Sequence, residues 1–218
     1  MNYLVKTPFW LRLLFPKLLW RVNTSEKVIY LTFDDGPIPE VTPFVLAELK
    51  KFHAKATFFC IGNNIEKHPQ IFKKILDDGH SVGNHTLNHL NARKVAFDEY
   101  MQNVNGCEQI LQNIFSSNRE LKLFRPPYGR LTRKVRRALF NEGYSIVMWD
   151  VISADFDLAV SPEKCLENVL RNVREGSVVV FHDSQKAKEK IEYTLPLVLE
   201  HFSKKGYFFD SLNTIAYR

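Results

Sequence analysis

"VIYLTFDDGP", Val28–Pro37, runs six strand-favouring residues straight into two adjacent carboxylates and a Gly-Pro turn. An apolar run of this kind is a strand candidate, and the turn chemistry after it ends the strand. Asp34 and Asp35 therefore sit at the strand's carboxyl end. Adjacent like charges repel unless a cation or a donor separates their roles, so partners must come from elsewhere in the chain. Taken alone, the pair could equally cap the turn and face water.

Outward from this strand, short apolar runs keep alternating with helical patterns. "TPFVLAELKKF" (42–52) predicts a helix with Pro43 in its first turn, "ATFFCIG" (56–62) a strand, "HPQIFKKILDDG" (68–79) a helix stopped at Gly79, and "HSVGN" (80–84) a short strand. A long helix is expected over 97–115, then "LKLFR" (121–125) as strand, "LTRKVRRALFNEG" (131–143) as helix and "YSIVMWDV" (144–151) as strand. "SPEKCLENVLRNVREG" (161–176) is a helix with Ser161 as N-cap and Pro162 at its first position, and "SVVVFH" (177–182) is a strand. A last helix over about 188–205 precedes "YFFDSLNTIAYR" (207–218), which supplies one or two closing strands.

This alternation is the pattern of an α/β protein around a parallel sheet of six or seven strands. The sheet is either a barrel less regular than the eightfold one or an open doubly wound sheet. Both gather the site beyond the carboxyl ends of the strands. There lie "DDGP", "NHTLNH", "RPPYG", "DVISADFD" and "HDS", each just after an expected strand.

With 218 residues, 45% hydrophobic and 25% charged, the chain is sized for one core, and no Ser/Gly/Pro-rich stretch marks a linker. One domain over 27–218 is expected, with an apolar and basic segment, 1–26, packed on it. A formal charge of +6 is scattered over helices rather than interleaved with aromatics, so nucleic-acid binding is not expected. "FWLRLLFPKLLWRV" (9–22) is interrupted by Arg12, Pro16 and Lys17 and is too short and too charged to span a bilayer. It reads as a lid or cap, with weak membrane-surface contact as the alternative. No small-residue cleavage site follows it, which favours a cytoplasmic protein, although a cell-envelope substrate would require export. Cys60, Cys107 and Cys165 are odd in number and widely spaced, as buried thiols would be.

The clusters carry the chemistry. His85 and His89, four residues apart, would project from one side of a helical turn, as two metal ligands or as two surface histidines. Adding Asp35 makes a set with an open coordination position, the arrangement of a catalytic rather than a structural metal. Asp34 is then left to act as general base on a water. Arg125 leaves its strand where it could orient that base, and the rigid turn behind it would present the backbone N–H of Tyr128 to an oxyanion. His182, at the end of a buried strand, is either a packing residue or the general acid.

In this combination, "TFDDGP", "HTLNH", "RPPYG", "DVISADF" and "VVVFHDS" resemble the motifs of the polysaccharide deacetylase family, the NodB-type carbohydrate esterases, over residues 27–217. The resemblance implies a distorted barrel of about seven parallel strands. It also implies metal-dependent removal of acetyl groups from N-acetylated sugars, with one Zn2+ per chain, or Co2+ or Ni2+ in its place. By position, Asp35, His85 and His89 match the family's metal ligands, Asp34 its base, Arg125 the arginine that orients the base, His182 its acid, and Asp155 the carboxylate paired with that histidine. Tyr128 matches the oxyanion donor. The fourth motif departs from the family, with Ile152 three positions before Asp155 where an acid is common, and Phe156 after it in place of Trp. Phe156 and Val180 remain suited to form an apolar wall for the acetyl methyl. An acetylated glycan is the expected partner, and a non-catalytic sugar-binding descendant is the rival reading. An aspartyl phosphatase fits less well, since such enzymes separate their two carboxylates by one residue.

Overall fold

The computed structural model describes residues 3–115 and 121–214. Its strands are β1 (Val28–Asp34), β2 (Thr57–Cys60), β3 (Ser81–Asn84), β4 (Lys122–Phe124), β5 (Tyr144–Ile146), β6 (Val151–Ile152), β7 (Val178–His182) and β8 (Phe208–Phe209). Its helices are α1 (Phe9–Leu14), α2 (Thr42–Lys51), α3 (Gly62–Lys67), α4 (Pro69–Asp77), α5 (Phe97–Phe115), α6 (Arg133–Asn141), α7 (Pro162–Asn172) and α8 (Lys188–Lys204). Seven strands run parallel in the order β5-β4-β3-β2-β1-β7-β6, a curled half-barrel, and β8 pairs with the start of β1. The expected distorted barrel of about seven parallel strands is this sheet.

Strand parity positions the site. On β1, Ile29, Leu31 and Phe33 pack into the main helix-facing core, whereas Val28 and Tyr30 belong to a separate cluster with Phe59, Leu123 and Val178. Side chains alternate along a strand, so Thr32 and Asp34 follow Val28 and Tyr30 onto that second face. On β7 the same parity puts Val178, Val180 and His182 there, and the register pairs Asp34 with His182. Phe33 stacks between Phe58 and Phe181, ring centroids 5.0 and 6.0 Å away, which fixes β1 between β2 and β7.

Two expectations need correction. "YSIVMWDV" is not one strand: it splits into β5 and β6 at opposite ends of the sheet, and 147–150 cross between them. An apolar run has no feature that marks such a crossing. Gly62 does not end β2 but opens α3, a short helix the sequence reading passed over. The closing segment supplies one strand among its described residues, β8, followed by a 3-10 turn at Leu212–Thr214, and 215–218 lie outside the described residues.

Between β5 and β6 the N-terminal segment lies along the seam. Leu19 donates to Ile146 O at 2.9 Å and accepts from Met148 N at 2.7 Å, Ile152 N donates to Val5 O at 2.9 Å, and Thr7 N donates to Asp150 O at 2.8 Å. Val22 N donates to Gly176 O at 2.9 Å. Gly176 must be glycine, since its φ is 72° and an added Cβ would lie 2.1 Å from Val22 O. Helix α1 turns Leu11 inward and exposes Phe9, Trp10, Leu13 and Leu14. Among the described residues no helix is long and apolar enough to cross a membrane. Cys60, Cys107 and Cys165 are buried.

Lys6 secures this segment. Its ammonium donates to Asp150 Oδ2 at 2.6 Å and to Asn172 O at 2.8 Å, and Asp150 is fully buried. Burial pulls the Lys6 pKa down and Asp150 opposes this. Lys6→Met would leave the Asp150 carboxylate buried with only Ser177 Oγ donating to Oδ2. The expected loss is about 1–3 kcal/mol of unfolding free energy. Lys73→Met, which breaks an exposed pair with Asp77, should cost within about 0.5 kcal/mol. Denaturant unfolding of both variants measures the difference.

Candidate active site

Arg125 leads the site into place. It directly follows β4, is fully buried, and donates from Nη1 to Asp34 Oδ1 and to Thr32 Oγ1, both at 2.7 Å. Its Nη2 donates to Met148 O at 2.9 Å, and its guanidinium stacks 4.2 Å over the Phe59 ring. Thr32, absent from the sequence reading, thus shares the cation with Asp34 through the parity of β1. The guanidinium compensates a carboxylate that is itself only 4% exposed.

Asp35 turns the other way. Its φ of 86° is left-handed, which lifts its side chain away from that of Asp34 towards the loop after β3. There its Oδ1 lies 3.3 Å from His89 Nε2 and 3.7 Å from His85 Nε2. Ligand atoms of the three residues all fall within 4.8 Å of one another, the one such group among the described residues. Asp35 Oδ1 is buried and receives no hydrogen bond. His85 Nδ1 contacts Arg125 O at 2.7 Å, so this nitrogen is the N–H donor and Nε2 keeps its lone pair for Asp35's side of the site. Burial, then the neighbouring His89, hold the His85 pKa down at about 3. Burial also lowers that of His89, against the pull of Asp35.

His85 and His89 do not lie on a helical turn as their spacing suggested. Residues 85–89 form a loop, with φ of 66° at Thr86 and 57° at His89. Its backbone groups are drawn to other elements instead of to each other: Gly62 N donates to Thr86 O, Leu87 N to Asn103 O, and Asn88 N to Asn103 Oδ1. Asn84 Oδ1 accepts from Thr86 N at 2.8 Å, a local side-chain bond that competes with helix.

Across the pocket, His182 Nδ1 meets Asp155 Oδ1 at 2.7 Å, and Asp155 Oδ2 accepts the His182 backbone N–H at the same distance. Burial alone would depress this imidazole. The charge and hydrogen bond of Asp155 outweigh it, with further help from Asp35 and Asp34, and the His182 pKa rises to about 9. The Phe156 ring lies 5.0 Å from that of His182 and 5.2 Å from that of Tyr3. Tyr128 has a φ of 59°, and its turn is closed by Gly129 N to Pro126 O and Arg130 N to Pro127 O, bonds that do not use the Tyr128 amide.

One cavity of about 570 Å3 collects these groups: Asp34, Asp35, His85, His89, Tyr128 and His182, walled by Ile152, Phe156 and Val180. Arg125 and Asp155 stand behind it. Tyr3 and Trp149 also line it, and neither was expected, since the seam that brings them there has no local sequence pattern. Asp183 was missed too, although "HDS" placed it beside His182. It is buried and accepts from Gly36 N at 2.9 Å and Thr42 Oγ1 at 2.6 Å, which pins the Asp-Asp turn. A Cβ on Gly36 would lie 1.9 Å from its Oδ2. Burial raises the Asp183 pKa to about 8 against these two donors.

Comparison with known proteins points the same way. Residues 21–147 match the family model described as polysaccharide deacetylase. A peptidoglycan-N-acetylglucosamine deacetylase of Bacillus cereus is 32% identical over 197 residues, covering 90% of this chain and 91% of that protein. A chitooligosaccharide deacetylase of Azorhizobium caulinodans is 34% identical over 163 residues, 75% of this chain and 77% of its own. A crystal structure of a peptidoglycan N-acetylglucosamine deacetylase in complex with 4-naphthalen-1-yl-N-oxidanyl-benzamide superposes with a TM-score of 0.85 at 33% identity, covering 95% and 96% of the two chains. Sequence along most of the chain and the curl of the sheet agree, and the protein belongs to the polysaccharide deacetylase family.

Proposed function

We propose that this chain is a divalent-metal-dependent hydrolase that removes acetyl groups from the N-acetylated sugars of a peptidoglycan- or chitin-type glycan, leaving acetate and a free amine. The observation that carries the reading is the buried Asp35 Oδ1, without a donor and facing two imidazole nitrogens. A buried acceptor left unsatisfied is costly, and a cation among these three atoms would remove that cost. Two imidazoles and a carboxylate suit Zn2+, and Co2+ or Ni2+ are compatible with the same donors. The names of the relatives, which specify peptidoglycan and chitooligosaccharide, support the substrate class.

Held by Asp35, His85 and His89, the cation would supply positive charge that polarises the acetamide carbonyl and acidifies the attacking water. Arg125 holds Asp34 through Oδ1, so Oδ2 is available to take the water's proton. As the carbonyl oxygen gains negative charge, the Tyr128 amide donates to it. His182, fixed by Asp155, protonates the departing nitrogen as the C–N bond breaks. Phe156, Val180 and Ile152 surround the methyl and exclude water. Purified protein should release acetate from N-acetylglucosamine oligomers, stop when a chelator strips its metal, and resume when Zn2+ is restored. Binding of the oligomers without acetate release would favour the non-catalytic reading, and release unaffected by full metal removal would contradict the metal's role.

The His182–Asp155 pair sets an expected pH profile. A general acid is competent only while protonated, so a pKa raised to about 9 keeps His182 active through neutral pH and loses it above that value. Asp155→Asn removes the charge that raises it, and the alkaline limb of kcat/KM should move to lower pH by about one unit or more. The acidic limb should stay within a few tenths of a unit. An unmoved alkaline limb would take Asp155 or His182 out of this role.

A further inference from the structure

We infer that a second glycan subsite, built for a carboxylate, adjoins the acetamide pocket; this rests on the deacetylase reading. Behind the Tyr128 turn lies another cavity, also of about 570 Å3, and the two share Tyr3, Tyr128, Gly129, Arg130 and Trp149. A ligand longer than one sugar can therefore pass from one into the other along a common wall. Trp149 is the platform at the junction. Gly129 has a φ of 63° and an added Cβ would lie 2.4 Å from the indole ring, so the ring rests against bare backbone. An indole held in this way offers an amphipathic face suited to the C–H side of a pyranose.

The charge of the second cavity identifies what lies beyond that sugar. Arg93, Arg130, Arg133 and Arg136 line it; among the described residues no Asp or Glu does, and none of the four forms an ion pair with a described residue. The Arg136 guanidinium lies 5.0 Å over the Phe15 ring, which preorganises it. The floor is apolar, formed by Leu11, Phe15, Leu18 and Met148. Four guanidinium groups with no ion-pair partner among the described residues, set around an apolar floor, focus a positive field and favour a carboxylate, which Arg binds through two parallel N–H bonds. A neutral polymer of N-acetylglucosamine has no anion to place there. An N-acetylated glycan whose neighbouring sugar carries an acidic branch with small apolar groups, as peptidoglycan does, fills both the rim and the floor. The subsite therefore selects the acidic glycan.

The test compares kcat/KM for acetate release from two oligomers of equal length, one of N-acetylglucosamine alone and one with carboxylate-bearing alternate sugars. The acidic oligomer should be preferred by about tenfold or more at low salt, a factor expected of one or two charge-assisted bonds. High salt should reduce this preference. The double variant Arg93→Gln/Arg136→Gln, checked for an unchanged Tm, should lose it through KM on the acidic oligomer, and Arg93→Lys/Arg136→Lys should retain part of it. Equal kcat/KM for the two oligomers, or a preference that survives the Gln variant, overturns the subsite and leaves the deacetylase reading standing. Turnover of neither oligomer overturns both.

Discussion

Asp34→Asn is expected to lower kcat by roughly 10²–10⁴-fold, the usual contribution of a general base, while leaving metal uptake intact. The substitution keeps the side chain's shape and its acceptor for Arg125, and removes only the capacity to take a proton. Asp35→Ala should behave differently, because it deletes a ligand and leaves His85 and His89 alone to hold the ion. Metal and turnover should disappear together. The two aspartates are neighbours in sequence, yet one faces Arg125 and the other the histidines. Metal content and single-substrate kinetics on both variants separate the roles. An active Asp34→Asn enzyme would remove Asp34 as the base, and a metal-loaded Asp35→Ala protein would remove Asp35 as a ligand.

Arg125→Met should have the largest effect on stability. It removes a guanidinium that is fully buried and bonded to Asp34, Thr32 and two backbone carbonyls. Breaking a buried pair from one side leaves an uncompensated charge, at a cost of about 3–5 kcal/mol. Turnover should fall with it, since Asp34 loses its orientation. A double-mutant cycle with Asp34→Asn distinguishes charge from packing: if the charge dominates, the double variant should be more stable than Arg125→Met alone. Denaturant unfolding of the three variants gives the answer, and additive losses would mean that the arginine acts mainly as filler.

Much of this was legible because apolar strand runs and turn chemistry are local. "VIYLTFDDGP" specifies a strand that ends in two carboxylates, and the motifs after β3, β4 and β7 fall on the same rim. What was not legible depends on closure between distant segments. The break between β5 and β6 reads as continuous apolar sequence, so the seam and its occupants Tyr3, Lys6 and Trp149 had no signature. The spacing of His85 and His89 suggested a helical turn because two ligands need only face one point, and a loop tied to Asn84, Gly62 and Asn103 meets that need equally well.

Metal stoichiometry tests the central claim most directly. Protein stripped of metal and then equilibrated with Zn2+ should bind one equivalent per chain, as Asp35, His85 and His89 are the one such group among the described residues. His85→Ala should bind none under the same conditions. One equivalent in the first protein and none in the second is the result predicted; no binding by the wild-type protein, or undiminished binding by His85→Ala, would contradict it.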